Sequence, residues 1–211
     1  MLLNIERLPL FIFASIVLLL TPGPAVLYII ARSVDQGRVA GIVSVLSIEV
    51  GNLFHAVAAA LGLSALLLSS ATAFSVIKYL GAAYLIYLGL RKLFSKNGSM
   101  AETVVKPQSL GRIFSQGVTV AVLNPKTALF FLAFLPQFVD LTRGQVALQL
   151  LMLGCLFVLM AIISDGLYAL LASSAGQWLK ARRQVWLFER YVAGLIHIGL
   201  GIGAALADRP K

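Results

Sequence analysis

Charged residues are scarce in this 211-residue chain, and their scarcity excludes an ordinary water-soluble fold. Only 12% of the residues are Asp, Glu, Lys or Arg, and 60% are hydrophobic, whereas soluble domains carry about 25% charged residues. A soluble domain of this size cannot bury so much apolar surface. We therefore predict an integral membrane protein.

Cysteine and acidic residues are also scarce. Cys155 is the one cysteine, so an intramolecular disulfide is excluded and the cysteine content does not indicate a redox compartment. The 17 basic residues outnumber the eight acidic ones and give a net charge of +9. This excess does not predict nucleic-acid binding, because the basic residues of membrane proteins collect in the loops on one side of the bilayer.

Enzyme signatures are absent too. The chain has no H-E-x-x-H, no G-x-S-x-G and no Walker loop, and we predict neither an enzyme nor a cofactor nor a resident metal. Two alternatives stay open. Glu49 and Asp165 could act as paired catalytic acids of an intramembrane enzyme. Together with Asn52 and His55 they also offer oxygen and nitrogen ligands, as a metal-ion exporter or a channel would require.

Long apolar runs are what the sequence has in abundance. A helix needs about 20 apolar residues to cross a bilayer, and six stretches reach or approach that length. They cover residues 8–31, 39–68, 74–90, 113–138, 146–171 and 188–206. No small-residue cleavage site follows the first stretch, which we interpret as a retained span rather than a signal peptide. The sequence thus predicts an all-α, polytopic membrane protein with a single membrane domain, residues 1–211.

Basic residues are shared unevenly between the predicted loops. The loops after spans one, three and five hold Arg32, Arg38, Arg91, Lys92, Lys96, Lys106, Arg112, Lys180, Arg182 and Arg183, and the opposite side holds Arg7, Arg143, Arg209 and Lys211. Loops rich in Lys and Arg stay in the cytoplasm. We therefore expect loops one, three and five to be cytoplasmic and both termini to lie outside.

Two of the apolar stretches are interrupted near their middle. Proline lacks an N–H and clashes with the preceding turn, so these segments cannot continue an α-helix. In lipid such a break is stable only where protein or a water-filled cavity satisfies the freed backbone groups. Two broken helices therefore indicate a polar site within the membrane. The first break is Thr21, Pro22, Gly23 and Pro24, and the second is Asn124, Pro125, Lys126 and Thr127.

The two halves of the chain also resemble each other. Residues 20–25 match residues 123–128 without gaps, and in a second ungapped segment Lys78-Tyr79 matches Arg190-Tyr191. Since each half has three helices, the second half must be inserted upside down, which is the inverted-repeat design of many secondary transporters.

These matches predict half-repeats at residues 1–94 and 113–211, joined by a cytoplasmic linker at residues 95–112. Helices one and four are then the broken ones. At 1.5 Å per residue, the first break lies about 20 Å from the outer end of its span and the second about 17 Å from the inner end. Both breaks are therefore expected near the bilayer midplane.

Three runs carry a family resemblance. The run LLLTPGPAVLYIIARSVDQGRVAGIVSVLSIEVGNLFHAVAAALGL, the run KYLGAAYLIYLGLRKL and the run GVTVAVLNPKTALFFLAFLPQF resemble the LysE/RhtB family of amino-acid exporters, which includes the homoserine, threonine and lysine efflux proteins. The resemblance covers nearly the whole chain. The chain departs from the family's pattern at Asn52, where aspartate is frequent, at Ser47, where glycine is frequent, and at Glu49.

The resemblance implies a small multi-pass exporter of amino acids or their derivatives in the bacterial inner (cytoplasmic) membrane. It implies a driving force from the proton gradient or the membrane potential, with the lipid bilayer and an amino acid as partners. The transported molecule, the coupling ion and the oligomeric state, including a homo-oligomer, stay open.

Each break is expected to start a half-helix, near Ala25 and near Ala128. The first N–H groups of a helix lack intrahelical acceptors and carry partial positive charge, so they attract an anion. We predict that both breaks bind the α-carboxylate of an amino acid; the alternative is a pair of plain proline kinks supported by neighbouring helices. The predicted substrate-binding residues are Thr21, Pro22, Gly23, Pro24, Asn52, Asn124, Pro125 and Lys126.

Ionisable residues within the spans are the candidates for ion or proton coupling. A charge at mid-membrane costs at least about 2.5–3.5 kcal/mol, so Asp165 is expected to face the interior with Lys126 as its partner. That pair would be structural, or Asp165 would bind the substrate ammonium or carry the coupling proton.

Glu49, Asn52 and His55 are spaced by three residues and spread over about 120° of one helix face. Glu49 is a second candidate for proton coupling, or else a structural partner for Lys78 or Lys126. His55 is a third candidate, or else a packing residue.

Overall fold

The chain is helical wherever the structure, a computed structural model, describes it in regular elements. The described residues are 3–65, 71–94 and 107–179 and, near the C-terminus, 195, 198–199, 201–202 and 205–206. No strand occurs among these residues, which confirms the prediction of an all-α fold.

The helices of the described ranges follow the apolar stretches of the sequence. Each of α1, α2 and α5 has a proline in its first turn, where the missing N–H costs no intrahelical bond. The α-helices are α1 (Leu8–Leu20), α2 (Pro24–Ala58), α3 (Ala71–Phe94), α4 (Leu110–Val122), α5 (Pro125–Leu129) and α6 (Val146–Leu179). The π-helical turns Ala59–Leu63 and Phe130–Phe134 continue α2 and α5, and the 3₁₀ turns Leu135–Phe138 and Leu141–Arg143 follow.

Membrane-spanning length is found in part of this set. Among the described residues, Pro24–Leu63 and Val146–Ser174 are long and apolar enough to cross a bilayer. The pair Leu110–Val122 and Pro125–Phe138, bent by 43°, makes a third candidate, and Leu8–Leu20 is a shorter apolar helix. The count of six spans stays a prediction, because the sixth predicted span and residues 66–70 lie largely or wholly outside the described residues.

The predicted first loop, residues 32–38, is almost entirely helical. Only Gly37 departs from helical geometry, with φ 81° and ψ −172°, a conformation that glycine adopts without the steric cost of a side chain. It divides α2 into a short arm, residues 24–36, and a long arm, residues 38–58. The arms fold back on each other so closely that a Cβ on Gly41 would collide with Ser33 Oγ.

Both predicted helix breaks are confirmed. The helix α1 ends at Leu20 and α2 begins at Pro24, while α4 ends at Val122 and α5 begins at Pro125. The second half-helix therefore begins three residues earlier than the expected start near Ala128, and the first begins one residue before Ala25. In the gapless register Pro22 matches Pro125, yet the structurally equivalent first-turn prolines are Pro24 and Pro125.

Two apolar clusters enclose the region between the breaks. The larger one contains the buried rings of Phe11, Phe130, Phe138 and Phe157, with centroids 5.2 Å apart for Phe11 and Phe138 and 4.9 Å apart for Phe130 and Phe157. Such ring pairs add about 0.5–1.5 kcal/mol beyond their buried area. The smaller cluster, which includes Ile29, joins both arms of α2 to α4 and α6.

The turn before α6 is held by polar bonds. Asp140 accepts hydrogen bonds from Thr142 Oγ1 at 2.6 Å, from the Thr142 N–H at 3.1 Å and from Arg143 Nε at 2.8 Å. These bonds, first among them that of the Thr142 hydroxyl, hold the pKa of Asp140 below its ordinary value. The turn thus fixes where α6 starts relative to α5.

Candidate functional site

A small cavity of about 30 Å³ is lined by residues of both helix breaks. Its walls come from α1, both arms of α2, the start of α5 and the middle of α6. The lining residues are Leu18, Leu19, Gly23, Ala25, Val26, Ile48, Asn52, Asn124, Lys126, Thr127, Phe157 and Asp165. Five of the predicted site residues therefore meet in one place: Gly23, Asn52, Asn124, Lys126 and Asp165.

The donor side of the first break opens into this cavity. Gly23 precedes α2 with extended backbone, φ −135° and ψ −172°, and no side chain caps the helix there. The Leu27 N–H reaches Gly23 O at 2.9 Å, and Pro24 has no N–H. The N–H groups of Ala25 and Val26 are consequently left without intrahelical acceptors, and both residues line the cavity.

The acceptor side of the first break is occupied by side chains from the second half of the chain. Lys126 Nζ donates to Leu18 O at 2.7 Å and to Thr21 O at 2.5 Å, and the Tyr168 hydroxyl donates to Leu20 O at 3.0 Å. Lys126 is only 7% exposed. A Cβ on Gly23 would lie 3.1 Å from Lys126 Cδ, so a glycine here lets the lysine pass close to the backbone.

The second break is capped by its own residue. Asn124 Oδ1 accepts the Lys126 N–H at 3.2 Å, and Asn124 Nδ2 donates to Thr127 Oγ1 at 3.0 Å. Asparagine is among the preferred N-cap residues because its side chain binds a first-turn donor in this way. The second break therefore offers fewer free N–H groups to a ligand than the first.

Buried acceptor atoms gather at and beside the cavity wall, around Asn52 and Asp165. Asp165 is 3% exposed, and Glu49 and Asn52 are each 4% exposed. Asn52 Nδ2 donates to Glu49 Oε2 at 2.9 Å, and the buried carboxyl groups of Glu49 and Asp165 interact electrostatically. One oxygen on each of these three side chains has no hydrogen-bond partner: Glu49 Oε1, Asn52 Oδ1 and Asp165 Oδ1.

Such an arrangement is incomplete by itself. Buried polar atoms are normally hydrogen-bonded, and an unsatisfied one costs about 1–3 kcal/mol. All three unpaired atoms are acceptors, so the group that would complete them is a proton, a cation or a donor such as an ammonium.

Comparison with known proteins assigns the chain to a family. The model of the LysE type translocators matches residues 16–207. The chain belongs to the LysE family. Its members are transporters, which confirms both the resemblance and the prediction that the protein is not an enzyme.

Named relatives of this LysE family member include efflux proteins. It is 30% identical over 198 residues to the homoserine/homoserine lactone efflux protein of Salmonella typhimurium, covering 94% of each chain. It is 25% identical over 193 residues to the leucine efflux protein of Salmonella choleraesuis, covering 90% of each. It is 31% identical over 206 residues to an uncharacterised membrane protein of Bacillus subtilis, YrhP, covering 93% of this chain and 97% of that one. No solved structure matches the chain.

The structure also gives the partners of the two ionisable residues Lys126 and Glu49. The Lys126 ammonium bonds to the carbonyls that end α1 and, in addition, interacts electrostatically with Asp165. For Glu49, the structural alternative to a coupling role was a pairing with Lys78 or Lys126, but the hydrogen bond that Glu49 accepts comes from Asn52. Lysine is long enough to reach carbonyls on another helix, and sequence spacing does not reveal that reach.

His55 lies outside the cavity wall. Its Nε2 is 3.2 Å from Ala121 O, and its ring stacks on Phe131 with centroids 6.0 Å apart. It braces the carbonyl end of α4. Of the break residues, Thr21 is buried and its hydroxyl donates to Val17 O at 2.7 Å, whereas Pro22, Pro24 and Pro125 shape the breaks without lining the cavity.

Sequence reasoning missed Phe157 in the cavity wall, Tyr168 at the end of α1 and the buried Arg32. It included Thr127 in the second break but did not predict its hydrogen bond with Asn124. Thr127 follows the N-cap Asn124 by three residues, which is a signal for a first-turn partner. Nothing in the apolar sequence around Phe157 or Tyr168 distinguishes them from other helix residues. Within the described ranges, no three His, Cys, Asp or Glu side chains converge as a metal site would require.

Proposed function

We propose that this LysE family member exports amino acids or their derivatives across the cytoplasmic membrane and binds the substrate in the cavity between its two helix breaks. The observation that carries the proposal is the polarity of that cavity. The Ala25 and Val26 backbone donors and the Lys126 ammonium line it together with Asn52 and Asp165, and unpaired oxygens lie on Asn52, on Asp165 and on Glu49, which is hydrogen-bonded to Asn52.

A zwitterionic amino acid complements both the donor groups and the acceptor oxygens. Its carboxylate accepts from the Ala25 and Val26 N–H groups at the start of α2, where the helix dipole favours an anion, and it is attracted by Lys126. Its ammonium donates to the unpaired oxygens around Asp165. The efflux relatives named for homoserine and leucine support a substrate of this class.

Transport requires the helices around the cavity to move. A cavity of about 30 Å³ holds little more than one or two water molecules, and an amino acid is several times larger. Residues of both apolar clusters, including Phe157 and Ile48, line the cavity and limit its size. In our proposal, six spans form two inverted repeats, residues 1–94 and 113–211 with a cytoplasmic linker at residues 95–112, and rocking between them opens each side in turn.

Proton coupling is assigned to Glu49 and Asp165. Two buried carboxyl groups that interact electrostatically cannot both be ionised without strong repulsion, so in our proposal the pair shares a proton. The substrate ammonium would satisfy the same oxygens and displace that proton. Export of one substrate is then exchanged for entry of one proton, with both passing through the same acceptor group.

The test is efflux from proteoliposomes loaded with radiolabelled homoserine or leucine, with and without an acidic exterior. We expect the wild type to release at least one of them faster when the exterior is acidic. Asp165→Asn should lower efflux about tenfold at equal protein content, since it loses about 1.4 kcal/mol of ammonium stabilisation. Glu49→Gln should keep efflux but lose its acceleration by the gradient.

Glu6→Gln is the matched control, because Glu6 is exposed and lies outside the site; it should behave as the wild type. Wild-type vesicles that release no amino acid faster than protein-free vesicles would contradict the proposed function. Normal efflux by Asp165→Asn, with an intact response to acid, would contradict the site and its coupling role.

A further inference from the structure

Arg32 is a buried cation on the short arm of α2, and its hydrogen-bond acceptors are neutral. The residue is 6% exposed. Its guanidinium donates to the side-chain oxygens of Gln36 at 3.0 Å, Gln108 at 3.1 Å and Gln116 at 2.9 Å. The Tyr28 ring lies against it, with the ring centroid 5.5 Å from Arg32 Cζ.

This set of partners is unusual for a buried arginine. Charged side chains that are buried are nearly always paired with an opposite charge, but no carboxylate among the described residues lies within ion-pair distance of Arg32. Hydrogen bonds between a guanidinium and a carboxylate are about twice as strong as neutral ones and are often bidentate. A carboxylate that reached Arg32 would therefore displace the glutamine amides.

The same side chains join the short arm to the start of α4. Gln36 Nε2 donates to Gln108 O at 2.9 Å, and the Gln108 N–H donates back to Gln36 Oε1 at 3.2 Å. The Tyr28 hydroxyl donates to Ile113 O at 2.6 Å. Arg32 is thus the centre of a polar layer that fastens α2 to α4 on the side of loop one.

The position of this layer relates it to the substrate path. Arg32 follows Pro24 by eight residues, which places it about 12 Å along the helix from the cavity at 1.5 Å per residue. The charge distribution assigns this side to the cytoplasm, from which an exporter collects its substrate. The short arm of α2 runs from the first break to this layer, so a substrate that follows the arm to the cavity passes Arg32 first.

We propose that Arg32 is a separate carboxylate-docking site at the cytoplasmic approach, where the substrate carboxylate replaces the glutamine amides and thereby releases α2 from α4. This inference rests on the proposed export function. It adds a specificity step before the cavity, because a compound without a carboxylate cannot compete for the guanidinium. The layer then reforms behind a substrate that has moved on to the first break.

The test is uptake by inside-out membrane vesicles, which expose the cytoplasmic face, with leucine and leucinamide as the two probes. At mildly acidic pH both carry an ammonium, but only leucine has a carboxylate. We expect Arg32→Gln to raise the KM for leucine about tenfold and to change the KM for leucinamide less than about twofold. Arg32→Lys should fall between, because lysine keeps the charge but not the planar fork. Vesicles from non-expressing cells supply the background.

A second variant, Gln116→Glu, tests the release of α2 from α4 without removing the arginine. A permanent carboxylate beside Arg32 should hold α2 and α4 together, lower the maximal rate for leucine severalfold and raise the unfolding temperature. Equal KM shifts for leucine and leucinamide in Arg32→Gln would overturn the docking role, as would an unchanged rate in Gln116→Glu. Wild-type vesicles that take up neither probe nor any other amino acid would overturn the proposed function and this inference together.

Discussion

The first helix break starts its second half at Gly23, which has no side chain to cap the helix, whereas the second break starts at Asn124, whose side-chain oxygen takes the Lys126 N–H at 3.2 Å. The Ala25 and Val26 N–H donors therefore remain open to the cavity at the first break. At the second break, the Asn124 side chain already accepts one of the first-turn donors. Two breaks that look alike in sequence thus differ in what they offer a ligand, and the first is the better anion site.

The acceptor sides of the two breaks are alike in a different respect, since each is braced by the other half of the chain. Lys126, from the second break, bonds to Leu18 O and Thr21 O beneath the first. His55, from the long arm of α2, lies 3.2 Å from Ala121 O at the end of α4. Exchanged braces of this kind keep both breaks in register and leave free donors mainly at the first.

The largest expected effect comes from replacing Lys126, whose ammonium bonds to the carbonyls at the first break. Lys126→Met retains most of the side-chain length but cannot donate to Leu18 O or Thr21 O, and it leaves Asp165 without its nearby cation. Breaking a buried charge interaction on one side costs about 3–5 kcal/mol. We expect a comparable loss of unfolding free energy in detergent and efflux below about a tenth of the wild-type rate.

The double variant Lys126→Met/Asp165→Asn separates a structural pair from a binding pair. Neutralising both residues removes the uncompensated charge, so part of the lost stability should return. Efflux should not return, because both groups that hold the zwitterion are gone. Wild-type efflux by the double variant would show that the pair is purely structural and would remove the binding role.

The next effect compares the breaks directly through their prolines. With Pro22→Ala/Pro24→Ala, α1 and α2 can join into one helix, and the Ala25 and Val26 N–H groups then find intrahelical acceptors. We expect efflux to fall about tenfold at equal protein content. Pro125→Ala should reduce efflux less than about threefold, because the Asn124 cap still starts α5 at the same place. Equal losses in the two variants would contradict the asymmetry.

Local chemistry was enough to locate both breaks from the sequence. Proline at the first turn of a helix and an asparagine directly before it are strong start signals. The start near Ala128 was expected three residues late, although Asn124-Pro125 carries that signal. The match between Pro22 and Pro125 in the ungapped register hid it, since the equivalent first-turn prolines are Pro24 and Pro125.

The partners across helices could not be predicted in this way. Spacing placed Glu49, Asn52 and His55 on one broad face of α2, but which part of that face meets which neighbour depends on helix rotation. The structure turns Glu49 and Asn52 toward Asp165 and turns His55 toward α4. Neither α2 nor α6 has one distinct apolar stripe, so no such stripe fixed their rotation beforehand.

Arg32 shows a further limit. As a basic residue after an apolar run it was counted among the loop charges, yet the helix continues to residue 36 and only Gly37 breaks it. The pair Arg32 and Gln36, four residues apart, is a signal for a helical hydrogen bond. Its remaining partners, Gln108 and Gln116, are distant in sequence and become neighbours only through the packing of α2 against α4.

The smallest expected effect comes from replacing His55, which contacts Ala121 O at the end of α4. His55→Ala removes the hydrogen bond to Ala121 O, but that oxygen keeps the Asn124 N–H at 3.0 Å, so the loss of unfolding free energy should be about 1 kcal/mol. Efflux should stay within about twofold of the wild type, and its dependence on the pH gradient should not change, because His55 lies outside the cavity wall.

His55→Gln is the informative companion, since glutamine can still donate to Ala121 O but cannot take up a proton near neutral pH. If His55 only braces α4, this variant recovers most of the stability lost in the alanine variant and responds to an acidic exterior as the wild type does. A stable His55→Gln protein whose efflux no longer responds to the gradient would instead assign the coupling proton to His55. His55 would then be the group that carries the coupling proton, and the carboxyl pair of Glu49 and Asp165 would serve substrate binding alone.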